Sequence, residues 1–412
     1  MQKIIPRALG FGNLDSARES KIEASSARAP NEEDHSQNQA ARGIKPEPMN
    51  LSKFNTKAIF LFLLNVLPIL SIDACTGIQL TANDGAHVHG RTLEFGVKID
   101  LSLVVIPRDY AFTGTTPLGK GLSYQAKYAV VGSIAYNSVA IVDGLNEKGL
   151  AIGVFYFPTF AEYTPITSEN QSMALSPTEF PNWVITQFAT VEEVKAALSS
   201  VVIAPTALLK WGPTPPPFHY VVYDKQGNSL VIEPLEGKLV AYDNPLGVCT
   251  NSPAFDWHMA HLRNYINLKP ENVKPIKMDG VELTPLSQGS GMVGLPGDFT
   301  SPSRFIQAAL FAYTAIPSKN AEQAIFQLFH ILNHFDIPLG TVRATETNVV
   351  HMEWTSFTCA RDPQALKYYF KSYDDQTIKF VDLNQFDLNA KTIKKATPAG
   401  FQTTVDFSTN LK

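Results

Sequence analysis

Cys75 is the residue on which chemistry would turn, because of what stands in front of it. Ala58–Ser71 (AIFLFLLNVLPILS) is an almost unbroken apolar run of 14 residues, preceded by Lys53 and Lys57 and followed by Ile72-Asp73-Ala74. A basic segment, an apolar core and a small residue before the cut describe a secretory signal. The run falls short of the about 20 apolar residues that span a bilayer, which argues against a transmembrane helix. Cleavage after Ala74 would start the mature chain at Cys75, with thiol and free α-amine on one residue. Such an amine titrates at about 7.7–8.0, so a useful share is unprotonated at neutral pH and can take the thiol proton. A nucleophile with its own base needs no separate histidine. Two other readings stay open. One is a small buried hydrophobe at a strand start; the other is a lipid-anchored terminus, although Asp73 suits a lipidation site badly.

Further groups are placed to join it. Asn83-Asp84-Gly85 separates two β-rich runs, Cys75–Leu80 and His87–Phe95, which is a strong hairpin signal. That hairpin would return Arg91 and Glu94 to the chain terminus, either to orient the amine and a substrate carbonyl or as a surface ion pair. Phe155, Tyr156 and Phe157 end a strand-like run, as core or as the wall of a pocket for an apolar acyl group. Asn251 sits where a strand ending at Thr250 hands over to a helix capped by Ser252 with Pro253 first in line. Its amide there suits an oxyanion donor, with an ordinary turn asparagine as the alternative. Arg304 lies in the first turn of a helix opened by Ser301-Pro302, where the dipole disfavours a cation, so it is expected to have a partner outside the helix.

The elements that must hold these groups are mostly short strands. Leu101–Ile106, Ala129–Ile134, Ser138–Val142 and Leu150–Phe157 read as strands, with a turn at 143–149 between the last two. After the proline cluster at 213–217, Phe218–Tyr223, Ser229–Glu233 and Lys238–Tyr242 read as a meander, and Val349–Thr358, Lys367–Tyr373 and Thr377–Val381 close the chain. Helices are expected from Pro177, capped by Ser176, from Thr190, from Ser301 to about Ala315, and from Asn320 to about His334. Residues 268–299 read as loop, the expected insertion or assembly segment.

The chain has 412 residues, 17% of them charged, and a net charge of −4, without the basic stripe of a nucleic-acid binder. Cys249 and Cys359 are expected to be buried thiols, with one bridge as the alternative. Residues 1–48 hold a single aromatic, Phe11, and too little apolar surface to fold. Because a signal normally opens its chain, Met49 is the expected start and 1–48 a disordered or mis-assigned extension. His330 and His334 share a helix face but lack the intervening glutamate of a metalloprotease, and His258 and His261 are no better. No Walker loop, dinucleotide glycine run, G-x-S-x-G elbow or papain-type cysteine signature occurs.

Cys75-Thr76-Gly77 with Gly90-Arg91-Thr92-Leu93-Glu94-Phe95 resembles the choloylglycine hydrolase family, which includes bile salt hydrolases and penicillin V acylases among the N-terminal-nucleophile hydrolases. The likeness continues through Asp143–Leu150, Thr250-Asn251-Ser252-Pro253, Leu295–Phe299, Ser303-Arg304-Phe305 and Lys367–Phe370, and so covers essentially all of 75–412. It implies an α+β fold, an αββα sandwich of two antiparallel sheets between helical layers. It also implies that Cys75 is the nucleophile and its amine the base, with Asn251 and a backbone N–H near Tyr156 as oxyanion donors. Arg91 and Arg304 would line the site, and Glu94 would orient the amine. Glu94 stands where the best-known bile salt hydrolases carry Asp, and Tyr156 where they carry Asn. Both departures resemble the Gram-negative branch and leave the acyl substrate open among conjugated bile acids, penicillin V and N-acyl homoserine lactones. The domain expectation is 49–74 as signal and 75–412 as an exported, periplasmic or secreted hydrolase acting on a small-molecule amide. No metal, cofactor, nucleic-acid partner or membrane span after processing is implied; a homo-oligomer is. An exported binding or lipid-anchored protein of the same fold is the alternative, and a chelator-sensitive metal hydrolase the third.

Overall fold

A computed structural model describes residues 74–411, apart from 97–98, 137, 209–211, 347–348 and 399. The expected extension and all of the signal except Ala74 therefore lie outside the described residues. The strands are β1 (Cys75–Thr81), β2 (His87–Phe95), β3 (Leu101–Ile106), β4 (Ala111–Thr116), β5 (Gly119–Gln125), β6 (Val130–Ala135), β7 (Ile141–Asn146), β8 (Ala151–Tyr156), β9 (Ala174–Leu175), β10 (Val202–Ile203), β11 (Phe218–Tyr223), β12 (Ser229–Leu235) and β13 (Lys238–Asp243). They continue with β14 (Ile276–Met278), β15 (Val281–Leu283), β16 (Val342–Glu346), β17 (Val349–Asp362), β18 (Lys367–Ser372), β19 (Lys379–Asp382) and β20 (Lys394–Ala396). The helices are α1 (Phe180–Gln187), α2 (Val191–Ala197), α3 (Phe255–Leu262), α4 (Ser301–Thr314) and α5 (Ala321–Leu332).

Two antiparallel sheets carry the molecule. The first runs β1-β2-β17-β18-β19 with β16 on β17, and the second runs β13-β12-β11-β8-β7-β6-β3-β20. Helices α4 and α5 pack on β1 and β2, and α1 packs on β7 and β8. Between the sheets, Tyr368 of β18 donates to Ser133 of β6 at 3.2 Å, and Gly77 of β1 lies so close to Phe155 that an added Cβ would sit 2.8 Å from its ring. This is the αββα sandwich. Burial on both faces explains why β8 (AIGVFY) and β11 (FHYVVY) show no polar alternation: every residue of both is buried, as expected of strands in an inner layer.

The β1–β2 hairpin forms as expected, with Cys75 opposite Leu93 and Gly77 opposite Arg91. Three local expectations are corrected. Asp143–Asn146 is strand, not turn, because Asp143 is needed between the sheets and the Asn146 amide is spent on the Ile185 and Phe188 carbonyls at 2.7 and 2.8 Å. Helix α1 begins at Phe180, not Pro177, because the Glu179 carboxylate takes the Ser176 N–H at 2.8 Å and the Thr115 N–H and hydroxyl, holding 176–179 as a turn. Helix α3 begins at Phe255. Ser252, joined to Pro253 by a cis bond, donates its hydroxyl to the Pro158 carbonyl, and the buried N–H of Phe255, which has no partner within the helix, is met instead by the buried Glu233 carboxylate at 3.1 and 3.2 Å. By contrast α2 and α5 start where read, with Thr190 and Asn320 accepting the N–H of Glu193 and Gln323. Within 268–299 a short exposed hairpin, β14–β15, interrupts the expected loop.

Candidate active site

Cys75 opens β1 at the edge of the first sheet and is buried. Its placement beside Asn251 follows from backbone pairing across the fold: Gly77 N–H donates to the Cys249 carbonyl at 2.7 Å and Cys249 N–H to the Gly77 carbonyl at 3.1 Å. Two residues before Gly77 and two after Cys249, as the antiparallel sense of the pairing requires, the Cys75 N–H donates to Asn251 Oδ1 at 2.7 Å. The Asn251 Nδ2 group donates to the Tyr156 carbonyl at 2.8 Å, which leaves its second hydrogen for another acceptor. Asn251 is itself held: its N–H goes to Ser301 Oγ at 2.9 Å, and its carbonyl accepts from His258 Nε2 at 2.9 Å. Burial holds His258 down at about 4, so it donates as a neutral ring.

Arg91, on β2, donates from Nη2 to Cys75 Sγ at 2.7 Å and from Nη1 to the Val154 carbonyl, while its guanidinium lies 4.2 Å from the Phe155 ring centre. A buried guanidinium against the sulfur stabilises negative charge there. Arg304 has the outside partners its position called for. It reaches the Cys75 carbonyl, Thr76 Oγ1 at 2.8 Å, Asn251 Oδ1 at 2.8 Å and the Phe299 carbonyl at 2.9 Å.

The Glu94 carboxyl accepts from Thr355 Oγ1 at 2.9 Å, and the Cys75 nitrogen is oriented by Asn251. Burial pushes Glu94 up to about 8 against the opposing pull of Arg304, and pushes the neighbouring Glu353 up to about 7. Glu353 was not read from the sequence. Its signal was its phase: over 352–357 of β17 burial alternates, with 353, 355 and 357 buried, and an acid at such a position is out of place unless it has a task. The contacts of Thr76 with Arg304 and of His258 with the Asn251 carbonyl were likewise not read from the sequence.

A cleft of about 610 Å³, counted to its open mouth, adjoins these groups. Cys75, Arg91 and Glu94 line it together with Leu93, Phe95, Val142, Val154, Tyr156 and Phe218. The expected aromatic wall is thus corrected in part. Tyr156 lines the cleft, edge-on to Phe95 and Phe218 at 6.0 and 6.4 Å. Phe155 lies under Arg91, and Phe157 stacks on His219 at 4.4 Å, so both belong to the core. The Phe157 N–H is spent on the Pro217 carbonyl. Cys249 and Cys359 are free and buried. Among the described residues no group of three or more His, Cys, Asp or Glu is gathered to hold a metal, and no helix is long and apolar enough to cross a membrane.

The model of the choloylglycine hydrolase family of linear amide C–N hydrolases matches residues 75–396. A bile salt hydrolase/transferase of Clostridium perfringens is 34% identical over 322 residues, 78% of this chain and 95% of that protein. The crystal structure of a variant of conjugated bile acid hydrolase from the same organism superposes with a TM-score of 0.72 at 32% identity, over 81% of this chain and 99% of the other. Penicillin V acylase from Agrobacterium tumefaciens gives 0.64 at 25% identity, over 78% and 91%. The chain belongs to the choloylglycine hydrolase family of linear amide C–N hydrolases.

Proposed function

We propose that the mature protein begins at Cys75 and hydrolyses the amide of a small molecule with a bulky apolar acyl group, outside the cytoplasm. The observation that carries this is the junction of Cys75 Sγ, bound by Arg91 at 2.7 Å, with an apolar cleft of about 610 Å³. The acyl group occupies the cleft and presents its carbonyl to the sulfur. The Cys75 amine takes the thiol proton, sulfur adds to the carbonyl carbon, and the second Nδ2 hydrogen of Asn251 meets the oxyanion. The amine passes its proton to the departing nitrogen. Water, activated by the same amine, then releases the acid and restores the thiol. Conjugated bile acids, penicillin V and N-acyl homoserine lactones share this acyl pattern, and two of these classes are named for relatives above.

The test is a turnover panel of these three amide classes with protein whose Cys75 terminus has been verified by mass. Hydrolysis of at least one, abolished in Cys75→Ala, is expected. Asn251→Ala should lower kcat by roughly 10²–10³, the scale of one oxyanion donor. Full activity in a chain still carrying Ala74 would overturn the mechanism.

A further inference from the structure

Asn251 reaches Cys75 on a segment that is held from both sheets. The first sheet takes it at Cys249, paired with Gly77 of β1. The second takes it one residue later: His219 of β11 places Nε2 3.0 Å from the Thr250 carbonyl. A carbonyl only accepts, so Nε2 carries the hydrogen and donates it. The other ring nitrogen, Nδ1, faces Glu233 Oε1 of β12 at 3.1 Å, and the same carboxyl meets the first N–H of α3. Phe157 lies flat on the ring at 4.4 Å and 7°, and Phe155 meets it edge-on at 6.0 Å. The ring is thus fixed in both rotation and tilt. His219 is 2% exposed and Glu233 0%, and neither lines the cleft. A buried polar pair often adds little stability over apolar residues of the same size. What this one supplies is direction.

We propose that His219 is a positioning residue for the oxyanion donor, with Glu233 setting the ring. The Thr250 carbonyl and the Asn251 N–H belong to one peptide plane. His219 grips that plane at the carbonyl, and Ser301 Oγ grips it at the N–H at 2.9 Å. The plane on the other side of the Asn251 Cα is gripped at its carbonyl by His258 at 2.9 Å. With both flanking planes fixed, the Cα–Cβ bond of Asn251 has one direction. The side-chain amide then falls with Oδ1 on the Cys75 N–H and Nδ2 on the Tyr156 carbonyl. Without the His219 N–H the Thr250–Asn251 plane is free to turn, and a displacement of about 1 Å at a catalytic group can cost about 10²-fold in rate. His219 acts through Asn251 alone.

This rests on the reading of Asn251 as the oxyanion donor, so two readouts are kept apart. The first is turnover of the amide panel by protein verified to begin at Cys75. His219→Phe keeps the stack on Phe157 and loses the donor; kcat should fall about tenfold to a hundredfold while KM stays within about twofold. His219→Gln, whose amide N–H reaches about as far as Nε2, should recover most of kcat. In an Asn251→Ala background, His219→Phe should cost less than about twofold more, since the group it acts through is already gone. His219→Leu also lacks the donor and replaces His219→Phe, with the same expectations, if that variant does not fold. The second readout needs no substrate. The side-chain ¹⁵N–¹H signals of Asn251, assigned by their loss in Asn251→Ala, should move in His219→Phe and return in His219→Gln. Wild-type kcat in a folded variant without the donor, a full further loss on top of Asn251→Ala, or unmoved Asn251 signals each overturn the proposal. Signals that move in a protein that hydrolyses none of the amides would instead overturn the proposed function and leave the role of His219 standing.

Discussion

Arg91 and Arg304 are buried cations whose charge is used on both sides of Cys75, one at the sulfur and one at the carbonyl. Two buried carboxyls, Glu94 and Glu353, share the same region, and their ionisation sets a pH dependence. Both are raised from the ordinary 4.5, to about 8 and about 7, chiefly by burial. Between pH 4.5 and 8 the folded chain therefore holds protons that the unfolded chain has lost, and stability falls as pH rises through that window. Buried His89 and His258 act in the opposite sense: they stay neutral when folded, while the unfolded chain takes up protons below about 6.5. The two effects offset each other below pH 6.5, and the loss from the carboxyls dominates as pH rises from there to 8. The urea midpoint should be lower at pH 8 than at pH 6.5, and Glu353→Gln should shrink the difference. A midpoint equal at both pH values would refute the assignment.

At the scale of elements, the site depends on how closely β1 approaches β8. Gly77 permits this, and an added Cβ would stand 2.8 Å from Phe155 Cζ, a rigid ring already fixed under Arg91. Gly77→Ala should cost about 1–3 kcal/mol, as overpacking does. It should also lower turnover more than a comparable substitution elsewhere in β1, since the Gly77–Cys249 pairing is what brings Asn251 to Cys75. Thermal unfolding together with kcat measures both; an unchanged midpoint would show that Phe155 can move aside. The hairpin carrying Arg91 and Glu94 was legible because Asn83-Asp84-Gly85 is a local signal with a local cause. The start of α3 was not, because the N–H it exposes is met by Glu233, some twenty residues back in the chain and on another strand. Phe155 and Phe157 failed as pocket residues for a related reason. Alternation assigns residues to two faces of β8 but does not say which face meets a cleft when both are buried.

For the molecule as a whole, the question is what fixes one sheet's offset over the other, since Cys75 belongs to the first and Tyr156 to the second. Apolar burial is non-directional and tolerates sliding. The inter-sheet polar contacts do not: Arg361 of β17 meets Asp143 of β7 at 3.3 Å and the Ile152 carbonyl at 3.4 Å, while Arg91 meets the Val154 carbonyl. Burial raises Asp143 from its ordinary value against the opposing charge of Arg361, so the pair is held at a desolvation cost, and its net contribution to stability is expected to be small. Removing one partner is another matter. Asp143→Ala leaves Arg361 charged and buried, and should destabilise by about 3–5 kcal/mol. The double variant Asp143→Leu/Arg361→Met removes both charges and should recover most of that loss. If the pair sets the offset, the double variant regains its urea midpoint while turnover per Cys75 terminus stays well below wild type, because the cleft and the sulfur are no longer held in register. Wild-type turnover in the double variant would mean that packing alone aligns the sheets.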